Sequence, residues 1–374
     1  MAKTARRIEP DVRPTLKPNL ELFPILQRFP PQACESPLTG IAKLAAASSP
    51  VGEGHLIELR SLKVRSVLNR SVSRRGLRFA WSINPYRGCE FACRYCYARY
   101  THEFMELREP EDFERKIFIK ENAAWLLEQE LKQVRPGEEI ALGTATDPYQ
   151  PVERRARVTA SLLEVLARQH GLRVGVVTKS TLIERDIPVL QRIAERNTLV
   201  LNLTITTPNA ALARLLEPRA PRPDLRLRTV ARLRQAGLRT GILCSPLLPG
   251  ITDTGKALDG MAKKAKAVDA SFFAAQPLFL KPCSKEVYLA FVREHFPSLE
   301  PMYRQRFSDD AFVSKVYRKR IEALVKAVCT KYSLGRRSGD ALLTREVGQA
   351  RQDLLAWPGT RSELLFADPV MAGG

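Results

Sequence analysis

The sequence has no apolar run long enough to cross a membrane. In its 374 residues the longest apolar stretches, such as 198–205, fall far short of the roughly 20 residues that a transmembrane helix needs. The N-terminal residues 1–18 carry charge and proline but lack the apolar centre of a secretory signal. We therefore expect a cytoplasmic protein without a membrane partner.

Cysteine and histidine are scarce, with seven and four residues respectively. An odd number of cysteines in a long chain does not suit a disulfide scaffold and favours a reducing compartment. The strings G-x-x-x-x-G-K-[ST], H-E-x-x-H and G-x-S-x-G do not occur in the sequence. It therefore lacks the signatures of phosphate-binding loops, zinc proteases and serine hydrolases.

Acidic residues are outnumbered by basic ones, 40 against 60, which gives a net charge of +20. Residues 60–87 contain eight basic side chains and no acidic one, and residues 214–239 contain eight arginines against Glu217 and Asp224. Such segments are either solvated surface or contacts to phosphate groups, and an arginine-rich proteome would give a similar total. The charge therefore leaves both a nucleic-acid partner and a generally basic surface open.

From about residue 80, short apolar runs alternate with amphipathic helical stretches. Six such repeats predict an α/β fold with a parallel sheet, either doubly wound or a partial (β/α) barrel. We expect an irregular, proline-rich and basic N-terminal extension over 1–79, a core over 80–285 and a helical C-terminal region over 286–374. The predicted strands are 80–85, 139–143, 173–178, 198–204, 239–244 and 271–275. The predicted helices between them are 122–134, 160–170, 187–196, 225–236 and 256–267.

Three of the seven cysteines form one motif with the spacing C-x3-C-x2-C, namely Cys89, Cys93 and Cys96. Three thiolates in one loop can hold three irons of a [4Fe–4S] cluster and leave the fourth iron open to an outside ligand. The alternative is a structural zinc site, which needs four ligands. His102 lies six residues after Cys96, which is not a usual interval for the fourth zinc ligand.

The cysteine motif, with an aromatic residue before its last cysteine, resembles the radical S-adenosylmethionine (radical SAM) superfamily. The resemblance implies a partial (β/α)6 barrel with a [4Fe–4S] cluster whose open iron binds S-adenosylmethionine. It also implies reductive cleavage of this cofactor to a 5′-deoxyadenosyl radical, with an electron donor such as flavodoxin or ferredoxin. The cofactor carries the difficult chemistry in such enzymes, and the protein positions it.

Further segments resemble the spore photoproduct lyase-like branch of this superfamily, which is related to DNA repair photolyases. They are G-T-A-T-D-P-Y-Q-P-V-E at 143–153, V-T-K-S at 177–180, L-T-I-T at 203–206, E-P at 217–218 and G-I-L-C-S-P at 241–246. The resemblance implies a lyase-like or base-modifying enzyme with DNA or RNA as its partner.

The resemblance also implies roles for single residues. Cys89, Cys93 and Cys96 match the cluster ligands, and Tyr97 matches a tyrosine of the lyase's radical relay. The residues that match contacts to S-adenosylmethionine are Tyr95, Thr146, Asp147, Lys179 and Thr204. From the residues alone, Lys179 could equally be a solvated loop lysine and Asp147 a turn-former before Pro148.

One departure from the lyase pattern concerns the hydrogen-atom donor. The lyase has a cysteine three residues before the aspartate of its T/S-D-P turn, where this chain has Thr144. A hydroxyl O–H bond is too strong for that role, so dimer repair by the lyase's route is not expected. Cys244 is the candidate substitute donor, with Cys283 as a weaker one, although a buried cysteine often serves only as a small apolar side chain.

Two alternatives stay open at this point. The first is a basic nucleic-acid-binding protein whose iron–sulfur cluster is structural, and the second is a radical SAM enzyme that modifies a protein side chain. The first predicts that Lys179 and Thr146 are dispensable and that S-adenosylmethionine is not cleaved.

Overall fold

The structure is a computed structural model and describes residues 38–54, 57–71 and 80–336. Within these residues, no helix is both long and apolar enough to span a membrane. The strands are β1 Ser49–Gly54, β2 Ile57–Leu62, β3 Leu68–Arg70, β4 Trp81–Ile83, β5 Tyr86–Arg87, β6 Lys116–Lys120, β7 Glu139–Leu142, β8 Arg173–Thr178, β9 Thr198–Thr204, β10 Thr240–Leu247, β11 Phe272–Pro277 and β12 Gly335–Arg336. The α-helices are α1 Gly40–Ala46, α2 Tyr100–Glu103, α3 Asp112–Arg115, α4 Ala123–Glu130, α5 Glu153–Ala156, α6 Val158–Ala167, α7 Ile187–Arg196, α8 Ala210–Leu216, α9 Pro223–Gln235, α10 Gly255–Ala267, α11 Pro282–His295, α12 Glu300–Arg306 and α13 Lys315–Tyr332.

The larger sheet has eight strands in the order β12-β11-β10-β9-β8-β7-β4-β3. Every neighbouring pair from β4 to β12 is parallel, and only β3 pairs antiparallel, with β4. Six of the parallel strands, with the helices between them, are the six repeats predicted from the sequence. The fold is therefore mixed α/β with a parallel sheet and agrees with the predicted partial (β/α)6 barrel.

Several elements begin and end where the sequence pattern places them. The strands β8 and β9 and the helix α7 have the predicted bounds. In β9, every residue after Thr198 is buried, because a parallel strand covered on both faces reads as a continuous apolar run. Helix α9 begins two residues before the predicted start, at Pro223, which the first turn of a helix accommodates.

A second sheet of four strands has the order β1-β2-β6-β5. Its first two strands lie in the predicted N-terminal extension, whose described part is more regular than its prolines suggest. The one proline in these strands, Pro50, lies on the edge strand β1 beside a shift in register, and both positions tolerate proline. Residues 1–37, which carry most of the other prolines, and the basic residues Arg74, Arg75 and Arg78 lie outside the described residues.

Helices α11, α12 and α13 follow the last strand of the barrel, and α13 packs against β11 and α10. Tyr317, Ile321, Val325 and Val328 form the buried face of α13. The chain then adds the two-residue strand β12 beside β11, which the sequence pattern does not indicate. Residues 337–374 lie outside the described part, and the two boundaries between the three predicted segments stay predictions.

Candidate active site

The parallel strands bring most of the predicted site residues to one edge of the larger sheet. Asp147 lies in the loop after β7, Lys179 directly follows β8, Thr204 ends β9, and Cys244 lies in the second half of β10. The loop with the three cysteines follows β5 and ends at a short 3-10 helix, Tyr97–Arg99. The carboxyl edge of a parallel barrel is where such folds assemble their active sites.

The cysteine loop begins at a position that only glycine can occupy. Gly88 has a φ of +80°, and a Cβ atom there would lie 2.7 Å from the carbonyl oxygen of Lys116. The amide of the next residue, Cys89, donates a hydrogen bond to the carbonyl oxygen of Phe113 over 2.8 Å. The first cysteine is thereby held against the segment that leads into β6.

Two other parts of the barrel hold the rest of this loop. Gln150, in the loop after β7, accepts a 2.9 Å hydrogen bond from the amide of Glu90 and donates a 3.1 Å bond to the carbonyl oxygen of Gly88. The amide of Arg94 donates to the carbonyl oxygen of Leu216, the last residue of α8, over 2.9 Å. The loop is therefore braced from both sides.

Of the three motif thiols, those of Cys89 and Cys93 are buried and that of Cys96 is partly buried. Burial raises the pKa of the Cys93 thiol to about 12, and it also raises the pKa values of Cys89 and Cys96. After burial, the charges of Asp147, Cys93 and Cys96 raise the pKa of Cys89 further, so these groups lie near one another. Such thiols become ligands only when a bound cation replaces their protons.

This arrangement fits a cluster with several irons. Among the described residues, no three histidine, cysteine, aspartate or glutamate side chains close on a position suited to one metal ion. A [4Fe–4S] cluster does not require such a meeting, because each of its thiolates binds a different iron. Cys89, Cys93 and Cys96 would hold three irons of that cluster.

Tyr95 is fixed by a buried polar network at the base of the site. Its hydroxyl donates a hydrogen bond to the Glu217 carboxylate and lies 3.0 Å from the hydroxyl oxygen of Thr206. The Thr206 hydroxyl donates to the same Glu217 oxygen over 2.7 Å. These hydrogen bonds hold the ring of Tyr95, the residue before Cys96, in one orientation.

The Glu217 carboxylate is paired with Arg226, and both side chains are at most 2% exposed. A guanidinium nitrogen of Arg226 lies 2.6 Å from a Glu217 carboxylate oxygen. Arg226 also donates to the carbonyl oxygens of Thr204, over 3.0 Å, and Pro221, over 2.7 Å. Burial alone would raise the pKa of Glu217, but Arg226 and then Lys179 hold it below its ordinary value, so the carboxylate is ionised.

Lys179 lies over the ring of Tyr95, with its ammonium nitrogen 5.7 Å from the ring centroid. Burial alone would lower the pKa of this lysine, but the charges of Cys93 and Glu217 raise it. Lys179 is therefore a charged lysine beside the cysteine loop and not a solvated loop residue. It can pair with the carboxylate of a ligand bound at this edge.

Asp147 and Thr146 join neighbouring strand ends. The Asp147 carboxylate accepts hydrogen bonds from the Thr178 hydroxyl over 2.6 Å and from the Lys179 amide over 2.7 Å. The buried Thr146 hydroxyl donates to the carbonyl oxygen of Tyr86 over 3.2 Å. Asp147 thus does more than form a turn, because it fixes the backbone of Lys179.

Tyr97 lies against the loop that departs from the lyase pattern. Its hydroxyl donates a hydrogen bond to the carbonyl oxygen of Thr144, and its ring lies 5.0 Å from that of Phe279. The Cys283 sulfur lies 3.8 Å from the carbonyl oxygen of Tyr97. The structure therefore brings a partly exposed cysteine closer to Tyr97 than the sequence pattern indicates.

Cys244 reaches the same polar network from β10. It is buried, and its sulfur donates to the carbonyl oxygen of Thr206 over 3.5 Å. Burial raises the pKa of this thiol to about 12, with a further contribution from Glu217. The thiol therefore keeps its hydrogen at neutral pH.

Five of the eight arginines of 214–239 pair with carboxylates, so this segment carries less free charge than its composition indicates. Besides the Arg226–Glu217 pair, Arg232 pairs with Glu184 and Arg234 pairs with Asp269. Arg222 and Arg228 share the carboxylate of Asp224. The pairs of Arg232 and Arg234 join helix α9 to other parts of the fold, whereas Asp224 lies on α9 itself.

Comparison with known proteins agrees with this geometry. The profile of the Radical SAM superfamily matches residues 83–259, which contain the three motif cysteines and all predicted contacts to S-adenosylmethionine. An uncharacterized protein of Mycobacterium tuberculosis is 30% identical over 300 residues, which is 79% of this chain and 87% of that protein. The chain belongs to the radical SAM superfamily. It is therefore a radical SAM enzyme, and its family implies a [4Fe–4S] cluster and S-adenosylmethionine.

The chain is also similar to two further proteins. An uncharacterized protein of Methanocaldococcus jannaschii is 23% identical over 249 residues, which is 66% of this chain and 89% of that protein. A structure of spore photoproduct lyase with bound AdoMet and dinucleoside spore photoproduct aligns with a TM-score of 0.52 and 13% identity, over 78% of this chain and 86% of that one. The predicted resemblance to spore photoproduct lyase is therefore confirmed at the level of the fold.

Sequence reasoning missed the residues that brace the radical SAM site. The sequence pattern gives Glu217 no role beyond its place in an E-P motif and in the arginine-rich segment, and it gives no role to Arg226 or Gln150. Glu217 lies 122 positions from Tyr95, so no local spacing connects them. The available signal is that Glu217 is one of only two acidic residues in an arginine-rich segment, which indicates a buried ion pair.

Proposed function

We propose that this radical SAM enzyme reductively cleaves S-adenosylmethionine at a [4Fe–4S] cluster on Cys89, Cys93 and Cys96, and that it acts on a nucleic acid or its bases. The observation that carries the proposal is the charged Lys179, which lies over Tyr95 beside a loop that carries three cysteines, two of them buried. When bound, the cluster and S-adenosylmethionine supply a 5′-deoxyadenosyl radical that removes a hydrogen atom from the substrate.

Residues around the cysteine loop would bind and orient S-adenosylmethionine. Lys179 would bind the carboxylate of S-adenosylmethionine, since its ammonium group is held charged by its surroundings. Asp147 positions Lys179 through the backbone amide, and Glu217 holds Tyr95 in place below it. Thr146 and Thr204 are both buried at the same edge, next to where the cofactor would lie.

Tyr97 and Cys244 are the residues that we propose for hydrogen transfer. The Tyr97 hydroxyl donates a hydrogen bond to the carbonyl oxygen of Thr144. Thr144 occupies the position where the lyase pattern has a cysteine. Cys244 keeps its thiol hydrogen because burial raises its pKa to about 12. A thiol hydrogen at this depth is protected from solvent, which suits a donor that returns a hydrogen atom to a substrate radical.

Two observations support a nucleic acid as the substrate. The net charge of +20 favours a polyanionic partner. The fold is similar to that of spore photoproduct lyase, whose structure holds a dinucleoside photoproduct. Because Thr144 cannot donate a hydrogen atom, the reaction should differ from that lyase's own repair route.

The release of 5′-deoxyadenosine tests the proposed chemistry. Protein reconstituted with iron and sulfide under anaerobic conditions is given dithionite and S-adenosylmethionine, and the product is quantified by chromatography. The wild-type protein should release 5′-deoxyadenosine, whereas Cys93→Ala should lose both this activity and the iron-dependent absorbance, because one cluster ligand is missing.

Cys329→Ala is the matched control, because this buried cysteine on α13 contacts only the carbonyl oxygen of Phe273 among the hydrogen-bond partners described. It should keep both the absorbance and the cleavage. A wild-type protein that holds a [4Fe–4S] cluster but never cleaves S-adenosylmethionine, even with cell extract as substrate, would contradict the proposal. Full iron absorbance in Cys93→Ala would contradict the ligand assignment.

A further inference from the structure

Positive charge collects on two neighbouring helices that pack against the last strands of the barrel, α10 and α13. Ten basic side chains on these helices are exposed, namely Lys256, Lys263, Lys264, Lys266, Lys315, Arg318, Lys319, Arg320, Lys326 and Lys331. The same two helices carry only two acidic residues, Asp259 and Glu322. We call this set of ten residues the α10–α13 basic surface.

Most of this charge has no partner within the protein. Arg320 lies 3.7 Å from a carboxylate oxygen of Asp253, and Lys331 pairs with Asp259 over 2.6 Å. The other eight of the ten form no ion pair with a described residue. On helix α9, by contrast, all four arginines pair with carboxylates. A high content of basic residues therefore does not by itself explain the unpaired charge on α10 and α13.

The fold assembles this surface from segments that are separate in the sequence. The Tyr332 hydroxyl of α13 donates to the Asp259 carboxylate of α10 over 3.0 Å, so the two helices lie side by side. Strand β11 and helices α11 and α12 lie between them in the chain. The sequence pattern alone therefore does not show the combined surface.

One end of the surface lies at the edge of the sheet that holds the active site. The Tyr317 hydroxyl, in the first turn of α13, donates over 2.7 Å to Asp253, in the loop after β10. Just after the other end of α13, Gly335 pairs with Phe272, the first residue of β11. Helix α13 therefore runs from the carboxyl edge of the sheet to its amino edge, and Lys315 lies at the carboxyl edge.

The arrangement of these charges is unfavourable for the helices themselves. Neither helix has an acidic residue in its first turn, whereas α10 has Lys256 and α13 has Lys315 and Arg318 near the start. Positive charge near a helix N-terminus destabilises the helix, as do like charges four residues apart, such as Lys315 and Lys319. Departures from such local rules are expected at functional surfaces, where a partner of opposite charge offsets the repulsion.

We propose that the α10–α13 basic surface binds the phosphate backbone of a double-stranded nucleic acid and holds it beside the active site. This inference rests on the proposed function, whose substrate class it narrows. Contacts to phosphate groups position a duplex without reading its sequence. The surface would therefore supply affinity, while the residues at the carboxyl edge would select the reacting group.

A duplex fits this surface better than a single strand does. Helix α13 has 18 residues and is therefore about 27 Å long, and a duplex presents a negative charge about every 1.7 Å along its axis. Proteins that hold single strands combine positive charge with aromatic rings on which the bases stack. Helix α10 contains no aromatic residue, and neither Tyr317 nor Tyr332 of α13 is exposed.

Binding of a fluorescein-labelled duplex of about 20 base pairs by the cluster-loaded protein tests the surface. Affinity is measured by fluorescence anisotropy at salt concentrations from about 50 to 200 mM. Lys315→Gln/Lys319→Gln should reduce the slope of log affinity against log salt by about two, because two phosphate contacts are lost. Lys256→Gln/Lys263→Gln on α10 should have the same effect.

Lys132→Gln/Arg135→Gln is the matched control, because it removes the same charge elsewhere. Both residues are exposed and lie between α4 and β7, and β7 is four strands away from β11 in the sheet. This variant should keep the wild-type slope. Urea unfolding should show that neither lysine variant is less stable than the wild type, because glutamine favours a helix and removes the repulsion.

Three results would overturn the proposal. They are an unchanged slope in both lysine variants, an equal reduction in the control variant, and binding of a single strand or of polyglutamate as tight as that of the duplex. The first two would show that these helices do not contact phosphate groups, and the third would show that the partner is not a duplex.

Release of 5′-deoxyadenosine is measured separately in the same preparations. The lysine variants should cleave S-adenosylmethionine as the wild-type protein does, since the substituted lysines lie outside the proposed cofactor site. Cleavage by the wild-type protein with no effect of the lysine variants on duplex binding would reject the surface and keep the radical chemistry. Reduced slopes in these variants without any cleavage would reject the proposed function and keep the surface.

Discussion

Breaking the buried ion pair between Glu217 and Arg226, which lies behind Tyr95 in the active site, should strongly destabilise the fold. Removing one partner of a fully buried ion pair typically costs about 3–5 kcal/mol, because the other charge is left without compensation. Both side chains here are at most 2% exposed and lie 2.6 Å apart. We therefore expect Glu217→Gln and Arg226→Met each to lower the free energy of unfolding by about 3–5 kcal/mol.

Equilibrium urea unfolding at pH 7, followed by circular dichroism, measures these losses. The exposed pair Glu164–Arg192 has the same 2.6 Å separation, with both side chains more than half exposed, so it provides a matched control. Glu164→Gln should cost only about 0–1 kcal/mol. The double variant Glu217→Gln/Arg226→Met should lose less than the sum of the single losses, because no unpaired charge remains.

The pH dependence provides a second readout for the same pair. The pKa of Glu217 in the folded protein lies below its ordinary value of 4.5, so the carboxylate stabilises the fold fully above that pH. As the pH falls below about 4.5, this contribution is lost and the difference between wild type and Glu217→Gln should shrink. The reasoning is refuted if Glu217→Gln costs no more at pH 7 than Glu164→Gln.

Three further predictions follow from single residues. Burial lowers the pKa of Lys120 from the ordinary lysine value of 10.5 to about 7, so the free energy of unfolding should rise with pH between these two values. Lys120→Met should remove this rise between pH 7 and pH 9. A slope equal to that of the wild type would contradict this prediction. Gly143→Ala should lower the free energy of unfolding by more than about 2 kcal/mol, because φ is +90° and the new Cβ would lie 2.5 Å from Pro148. Gly171 also has a positive φ but has open space around it, so Gly171→Ala should lower the free energy of unfolding by only about 1 kcal/mol. Equal losses in urea unfolding would refute the contact with Pro148. Lys179→Met should raise the KM for S-adenosylmethionine in the cleavage assay at least tenfold, since one charge-assisted contact is lost, and an unchanged KM would remove Lys179 from the cofactor site.

The repeating part of the fold could be predicted from the sequence because its strands are buried on both faces. Such strands read as continuous apolar runs, and β8 and β9 lie where those runs predict them. The second sheet could not be predicted, because β5 has only two residues and β6 is the short segment K-I-F-I-K. Helix α8, with seven residues, is likewise too short to give a clear helical period.

The candidate site divides in the same way. The cysteine motif is local, so its spacing alone predicts the cluster ligands. The predicted strand ends likewise place Lys179 and Asp147 at the same edge of the sheet. Contacts between distant segments could not be predicted from the sequence, and examples are those from Tyr95 to Glu217 and from Tyr97 to Thr144. The sequence pattern favoured Cys244 over Cys283 as a hydrogen donor, although the structure places Cys283 next to Tyr97.

The position of hydrogen abstraction tests the central claim most directly. The reconstituted wild-type protein is given dithionite, S-adenosylmethionine and either a deuterated oligonucleotide or a deuterated peptide, and the 5′-deoxyadenosine released is analysed by mass spectrometry. Deuterium should pass from the oligonucleotide into 5′-deoxyadenosine. Transfer from the peptide alone would contradict a nucleic-acid substrate, and cleavage with no transfer from any deuterated oligonucleotide would contradict it as well.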